Sequence, residues 1–297
     1  MASTARDDPT TRDVLRSPSR AGRPGLWRRF ARNPFAAAAV VYLVAIVLAA
    51  VFAPLLTRYA PDRIIIGQEL QPPSAAHWVG TDQSARDEFS RLLYGARISL
   101  AIGIIAMLLS VTFGTAVGAV SGFFGGAADA IGMRLTDAML AIPVFFLLLA
   151  VLASVGSSVP TIILAIGLSS WMATARVVRS EVLRTANLDF VTAARVLGAT
   201  RLRLLVRHVL PQAFPSMLVA STLGVGQAIL IESALSYLGV GVQPPTASWG
   251  NMLSNAQSYV FAAPLLALWP GLFILLTVLS FNFIGDASRD ALSPYQT

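Results

Sequence analysis

The sequence has no cysteine, no lysine and only two histidines, His77 and His208, among its 297 residues. Without cysteine there can be no disulfide framework and no thiolate chemistry. Without lysine the phosphate-binding GxxxxGK[ST] loop is absent, so this chain is not predicted to hydrolyse ATP by itself. The topology derived below puts the two histidines on opposite sides of a membrane, which excludes a histidine-based metal cluster. Serine/histidine/aspartate sets and paired carboxylates are also missing, and the sequence does not predict an enzyme.

Charge is scarce as well: 12% of the residues are charged and 55% are hydrophobic. A membrane-spanning helix needs about 20 apolar residues, and six runs approach or exceed that length. Strands would give short alternating runs instead, and helices satisfy their own backbone groups in lipid. The sequence predicts an all-α membrane protein with six transmembrane helices near 35–56, 98–120, 138–153, 160–175, 213–230 and 260–284.

The arginines are distributed unevenly along this topology. Six spans put both termini and the loops 122–137 and 176–212 on one side, and these regions carry 17 of the 22 arginines. By the positive-inside rule that side is cytoplasmic. The high pI is therefore attributed to topology and anionic lipid, not to nucleic-acid binding. The predicted organisation is a partly disordered cytoplasmic tail over 1–34, a first span, an external loop over 57–96, a five-helix core and a cytoplasmic tail over 286–297.

The longest arginine-rich loop has the pattern of two short helices. Asp189 is placed to cap the first, on which Phe190, Ala194 and Leu197 share a face, and Gly198 follows where a left-handed cap favours glycine. Thr200 is predicted to cap the second helix. Its predicted apolar face consists of Leu202, Leu205, Val206 and Val209. Pro211 and Pro215 are expected to end it. The pattern fits insertion into a protein cleft and an amphipathic hairpin on lipid headgroups equally well.

Two features of the spans also stand out. Gly114, Gly118 and Gly122 have the GxxxG spacing that favours close helix packing. Glu232 is the one ionisable residue in or beside the last two spans, near the outer end of the fifth. A carboxylate there can be a gate or part of a substrate path, or it can simply be hydrated or cap the following helix.

The sequence resembles a known family in several segments. FVTAARVLGAT (190–200) followed by RHVLPQ (207–212) resembles the EAA loop of membrane subunits of bacterial ABC importers. Three further segments are similar to the second, C-type permease of the oligopeptide/dipeptide/nickel family: RNPFAAAAVV (32–41), HWVGTDQSARDEFSRLLYGARISL (77–100) and ESALSYLGVGVQPPTASWGNML (232–253). The resemblance covers about residues 28–290.

This resemblance implies a type I ABC importer permease fold, with a core over 97–285 and an EAA coupling loop over 179–215. In such systems two permeases pair in the bacterial inner membrane, and two cytoplasmic ATPase subunits hydrolyse ATP with magnesium. An extracytoplasmic binding protein delivers peptides or a related small solute. The permease itself is expected to bind no metal, cofactor or nucleic acid.

The resemblance also assigns residues to ATPase coupling. The coupling helix would span about 190–197, with Ala193 and Ala194 against the ATPase and Arg195 at the rim. The full predicted set is Phe190, Thr192, Ala193, Ala194, Arg195, Gly198, His208 and Pro211. Thr192 stands where the family usually has glutamate. Two alternatives remain at this point, a secondary transporter and a membrane scaffold without ATPase partners, although a secondary transporter should bury more charge than Glu232 along its path.

Overall fold

A computed structural model describes residues 33–292, and within this range it contains helices joined by turns and no β-strand. Residues 1–32 of the predicted tail over 1–34 and the last five residues of the chain lie outside the described range. The helices are α1 Pro34–Val51, α2 Ala53–Leu56, α3 Glu88–Phe124, α4 Gly126–Leu140, α5 Val144–Val155, α6 Val159–Ser169, α7 Trp171–Ala186, α8 Asp189–Val196, α9 Arg201–Leu204, α10 Leu210–Tyr237, α11 Trp249–Ala256 and α12 Leu265–Leu292.

Five stretches of helix are long and apolar enough to cross a membrane: Pro34–Val51, Glu88–Phe124, Val159–Ala186, Arg201–Tyr237 and Leu265–Leu292. The third joins α6 to α7, and the fourth joins α9 to α10 through a π-helical turn at Leu205–Val209. The helical class of the prediction is therefore correct. The helices are longer than predicted because hydropathy marks only the apolar part of a helix, and α12 continues through most of the predicted tail over 286–297.

The third predicted span, 138–153, is not a straight helix. Its residues are divided between α4 and α5, which meet at 82°. Pro143 precedes the first residue of α5 with extended backbone, and a proline disfavours helical backbone in the residue before it. Alone, α5 is about 18 Å long at 1.5 Å per residue, which is short of a bilayer core of about 30 Å. Six crossings are obtained only if the bent pair counts as one, and the predicted loop 122–137 is largely the helix α4.

The centre of the molecule is α3, which packs against α6, α7 and α10. Its glycine stripe lies directly on the α7 backbone, as the GxxxG spacing predicted. A Cβ added to Gly114 would come within 2.6 Å of the Trp171 carbonyl oxygen, and one at Gly122 within 2.8 Å of the Arg179 carbonyl oxygen. Gly118 meets the Ala175 carbonyl in the same way. The two backbones therefore approach more closely than any side chain would permit.

The segment between α2 and α3 is ordered by buried polar side chains. His77 Nδ1 lies 2.8 Å from Asp87 Oδ1, and Asp87 Oδ2 accepts the backbone N–H of Ser90 in the first turn of α3. Arg86 Nε donates to Asp82 Oδ2 at 2.8 Å. Residues 89–96 form the first turns of α3.

Candidate docking hairpin

The predicted hairpin is present at the end of α7, with one difference in its cap. The first helix, α8, begins at Asp189, and Leu188 occupies the cap position without a side-chain hydrogen bond. The prediction that Asp189 caps the helix is therefore wrong, although its carboxylate still lies in the first turn, where the helix dipole favours negative charge. Gly198 turns the chain with φ +84°, and Thr200 Oγ1 accepts the backbone N–H of Arg203, both as predicted.

The hairpin is anchored by a buried apolar cluster formed with α3 and α7. Its members are Ala119, Val178, Val182, Val191, Leu204, Leu205 and Val209. Only Val191 comes from α8, so one side chain and the flanking turns hold that helix to the protein. Most of the α8 surface is consequently left without a contact inside this chain.

The predicted apolar face of the second helix is wrong. Leu205 and Val209 are buried as expected, but Leu202 and Val206 are exposed and Leu204 is buried instead. The π-helical turn begins at Leu205, and its hydrogen bonds run to the fifth residue. The residues from Leu205 onward therefore do not continue the α-helical face on which Leu202 lies. The predicted end of the second helix at Pro211 and Pro215 is also wrong, because the helix continues past both prolines.

The predicted coupling residues on and after α8 are close together. Phe190, Thr192, Ala193, Arg195 and Gly198 are exposed. Ala194 is half-buried and packs against the apolar cluster of its own chain. The first helix therefore presents Ala193 outward and Ala194 inward.

Three exposed apolar residues were missed as members of this surface. Val196 is 82% exposed, Leu197 87% and Leu202 66%. Val196 and Leu197 lie within the predicted coupling helix 190–197 but were not named in its residue set, and Leu202 was placed on the apolar face of the second helix because of its spacing. Spacing alone does not distinguish a face that packs within the chain from one left for a partner.

His208 and Pro211 lie away from the tip of the hairpin. His208 is half-buried in the π-helical turn, with its Nδ1 3.4 Å from the Arg203 carbonyl oxygen. Pro211 is exposed where α10 begins. Their position at the joint between hairpin and span suits a role in its geometry better than direct contact at the tip.

Two ion pairs attach α7, the helix that carries the hairpin, to α4. Arg179 donates to both carboxylate oxygens of Asp129, at 2.5 and 2.6 Å, and Arg176 Nη2 donates to Asp137 Oδ1 at 2.6 Å. The first pair is bidentate, the geometry that fixes orientation best. Sequence separation of 50 and 39 residues hid both pairs from the sequence analysis.

A groove of about 730 Å³ opens beside the hairpin between α7, α10 and α12. Its polar lining includes Glu181, Arg184, Gln212, Ser216 and Arg289. Glu181 accepts the Ser216 hydroxyl at 2.9 Å and pairs with Arg184 on its other oxygen at 2.8 Å. The groove is thus mixed in charge and wide enough for a small solute.

Glu232 lies at the opposite end of α10 and is completely buried. Ser236 donates to its Oε1 at 2.7 Å, and Ser99 of α3 donates to its Oε2 at 3.1 Å. The same two hydroxyls accept backbone N–H groups of Val242 and Trp249. Glu232 is therefore neither hydrated nor a helix cap, as the sequence analysis had suggested, but connects α3, α10 and the following loop.

Among residues 33–292, no three histidine, aspartate or glutamate side chains are grouped so that they could hold a metal ion. The features of the described structure are mechanical instead: a hairpin with an exposed apolar surface, a groove beside it and a buried polar network at the far end.

Comparison with protein families decides the identity. Residues 114–296 match the family described as binding-protein-dependent transport system inner membrane component. The chain belongs to this permease family. Residues 25–73 of the permease also match the N-terminal TM domain of oligopeptide transport permease C. The permease is therefore a multi-pass inner-membrane protein and the non-catalytic membrane subunit of an ABC importer.

Curated relatives resemble the permease over nearly its whole length. It is 40% identical to the glutathione transport system permease protein GsiD of Pectobacterium atrosepticum over 90% of this chain and 89% of the relative. It is 40% identical to the oligopeptide transport system permease protein OppC of Bacillus subtilis over 91% and 90%. The dipeptide transport system permease protein DppC of Alkalihalophilus pseudofirmus is 39% identical over 90% and 88%.

Solved structures confirm the fold. The MetNI methionine ABC transporter, in an inward-facing crystal form, aligns with a TM-score of 0.56 at 18% identity over 68% of this chain and 97% of the other. An amino acid ABC transporter with histidines aligns with a TM-score of 0.53 at 16% identity, over 69% and 95%. The type I importer permease fold predicted from the sequence is therefore correct.

Proposed function

We propose that this permease forms half of the path by which an ATP-driven importer takes up peptides or a related small solute such as glutathione. The proposal of a peptide-like cargo is supported by relatives near 40% identity, whose names refer to oligopeptide, dipeptide and glutathione transport. A second, different permease completes the path. Two cytoplasmic ATPase subunits, which bind and hydrolyse ATP with magnesium, drive it, and an extracytoplasmic protein delivers the solute.

The observation that carries the coupling proposal is the exposed apolar surface of the hairpin. Leucine and valine side chains that are 82% to 87% exposed at Val196 and Leu197 gain about 1.5–3 kcal/mol each when fully buried. We place Phe190, Ala193 and these two residues in a groove of the ATPase subunit, with Arg195 at its edge. Because α8 contacts the apolar cluster only on the side of Val191 and Ala194, its outer surface is free to be enclosed.

Thr192 is exposed on the same helix and replaces the glutamate usual in the EAA pattern. An exposed ion pair contributes only about 0–1 kcal/mol, so the apolar surface is sufficient for docking without it. A threonine hydroxyl can still donate a hydrogen bond at the interface. We therefore assign Thr192 a minor part in docking.

Both termini and the hairpin are proposed to be cytoplasmic. The ends of α7 and α12 and the start of α9 lie at the hairpin end of the molecule, while the end of α1 meets Arg97 near the start of α3. A cysteine-free chain offers a direct test, because one introduced cysteine is the only labelling site. Cysteine at Arg195 should react with an impermeant maleimide only in inside-out vesicles, and cysteine at Trp78 only in right-side-out vesicles. The reverse pattern would contradict the orientation.

Glu232 is proposed to hold the outer loop in place and not to contact the solute, because it is completely buried by its own network. The solute path is assigned to the groove lined by α7, α10 and α12, which a second permease would close from the open side.

The proposed function is tested by copurification followed by transport. The tagged permease, expressed with its neighbouring genes, should bring down two ATPase subunits and a second permease. Proteoliposomes of that complex should take up radiolabelled trialanine or glutathione only under two conditions. ATP must be present on the side of the membrane that carries the ATPase subunits, and loaded binding protein must be present on the other side. Uptake without ATP would favour a secondary transporter, and a complex without ATPase subunits would favour a scaffold.

A further inference from the structure

The segment between α3 and α5 is a helix attached sideways to the helix that carries the hairpin. Gly125 and Gly126, with φ +63° and +54°, turn the chain sharply after α3. Gly132 of α4 then lies against the Ser121 hydroxyl, where any Cβ would clash. These contacts fix α4 beside the end of α3, at the level where Gly122 touches the α7 backbone.

Charged groups make most of the attachment between α4 and α7. Met139 packs near the Trp171 side chain at one end. Over the rest of the contact, Asp129 and Arg179 form a bidentate pair, and Asp137 and Arg176 form a second pair. The large apolar side chains Ile131, Leu135 and Leu140 of α4 are exposed.

The other end of α4 leads directly into α5 at the 82° bend. Leu148 and Leu152 of α5 are buried with Ile102 of α3 and Ile162 of α6. The same cluster includes Leu235 and Val242, which belong to the outer end of α10 and its following loop. If α4 moves along its axis, it therefore displaces α5, which is packed against the outer half of the molecule.

We propose that the Asp129–Arg179 pair, assisted by Asp137–Arg176, is a positioning device that transmits movement of the hairpin through α4 to α5. The inference rests on the proposed function, since the hairpin must be moved by an ATPase. A bidentate guanidinium–carboxylate pair fixes both distance and orientation, which an apolar contact on one methionine does not. The pair is half-shielded, with side chains 32% and 24% exposed, so salt screens it less than a fully exposed pair.

The test measures movement of α5 without requiring a known solute. Phe146 of α5 is exposed, and in the cysteine-free chain Phe146→Cys gives a single reporter. In the purified complex with its ATPase subunits, ATP plus vanadate should change the maleimide labelling rate of this cysteine. Asp129→Arg, which sets two cations against each other, should reduce that change at least about fivefold while leaving subunit composition and basal ATPase activity intact.

The charge-swapped pair Asp129→Arg with Arg179→Asp should restore the response to within about twofold, because the attraction is re-formed in reverse. Asp286→Arg is the matched control, since it reverses the same charge in a pair 4.0 Å apart within a single helix, α12, and should leave the response unchanged. The proposal is overturned if Asp129→Arg responds normally, if the swap fails to restore the response, if basal activity or assembly is lost with it, or if α5 does not respond in the unmutated complex. Failure of the proposed function is separate, because then no ATPase subunits copurify with the unmutated permease.

Discussion

The two ends of α10 differ in how their side chains are buried and paired. At the outer end Glu232 is buried, and each of its oxygens accepts a hydroxyl that in turn accepts a backbone N–H. At the hairpin end, large apolar side chains face solvent and α8 is anchored by one buried valine. Buried polar groups that are fully paired make one arrangement of the chain unique, whereas an exposed apolar surface gains energy only from a partner. The outer end therefore stabilises the fold, whereas the hairpin end offers a surface for docking.

The largest effect is expected when the hairpin can no longer turn. Gly198 has φ +84°, and proline fixes φ near −65°, so Gly198→Pro should displace α8 from its groove. ATPase activity stimulated by loaded binding protein should fall more than about tenfold in proteoliposomes, with membrane insertion unchanged. Gly198→Asn is the control, because asparagine tolerates the left-handed region. Normal stimulation in the proline variant would argue against hairpin coupling.

The apolar surface of the hairpin can be compared with an equally exposed residue at the other end. Leu197→Asp should weaken retention of the ATPase subunits about tenfold or more, since about 1.5–3 kcal/mol of burial is lost. Ile66→Asp makes the same kind of change on a residue that is 91% exposed in the outer segment, and should leave retention unchanged. Pull-down across a salt and detergent series measures both. Equal effects of the two variants would remove the distinction between the ends.

At the outer end, we expect a substitution to lower the stability of the complex and to leave docking of the ATPase subunits intact. Glu232→Ala leaves the Ser99 and Ser236 hydroxyls buried without their acceptor and creates a cavity, at a cost of about 2–4 kcal/mol. The purified complex should unfold several degrees lower in a thermal melt and still bind its ATPase subunits. Glu232→Gln keeps the shape and one acceptor, so its melting temperature and uptake should change only modestly. If Glu232→Gln abolishes uptake in an intact complex, Glu232 acts directly in transport.

The smallest effect is expected at Thr192. Thr192→Glu restores the usual residue of the EAA pattern on an exposed helix position, where an ion pair contributes at most about 1 kcal/mol. ATPase retention should change less than about fivefold, in a direction that depends on the charge of the facing groove. Thr192→Gln is the uncharged control of matched size. A change much larger than fivefold would mean that this position, and not the apolar surface, dominates docking.

Local signals made the hairpin predictable. Gly198 and Thr200 define a turn and a cap through their own backbone preferences, and these act within a few residues. The face of the second helix was not predictable, because the π-helical turn at Leu205–Val209 shifts which side chains are buried, and that shift depends on the cluster formed with α3 and α7. Asp189 shows the same limit at smaller scale: it can cap a helix, but the helix here includes it.

Contacts distant in sequence were also beyond prediction. Glu232 was conspicuous as a carboxylate in an apolar region, but its partner Ser99 is 133 residues away, and no local pattern connects them. Hydropathy located the lipid-facing part of each span and missed the helical extensions beyond it. It also gave no sign of the bend that divides α4 from α5, since the residues on both sides of Pro143 are apolar.

The glycine stripe on α3 has a mechanical consequence. Because α3 presents only glycine along this stripe, carbonyl oxygens and Cβ atoms of α7 lie directly against its backbone, and we expect the two helices to move as one unit. At 37 residues, α3 is about 55 Å long. A tilt of a few degrees at the α7 end of the pair would therefore move the other end of α3 by several ångströms. The glycine stripe thus allows a small rotation near the hairpin to become a larger displacement at the outer side.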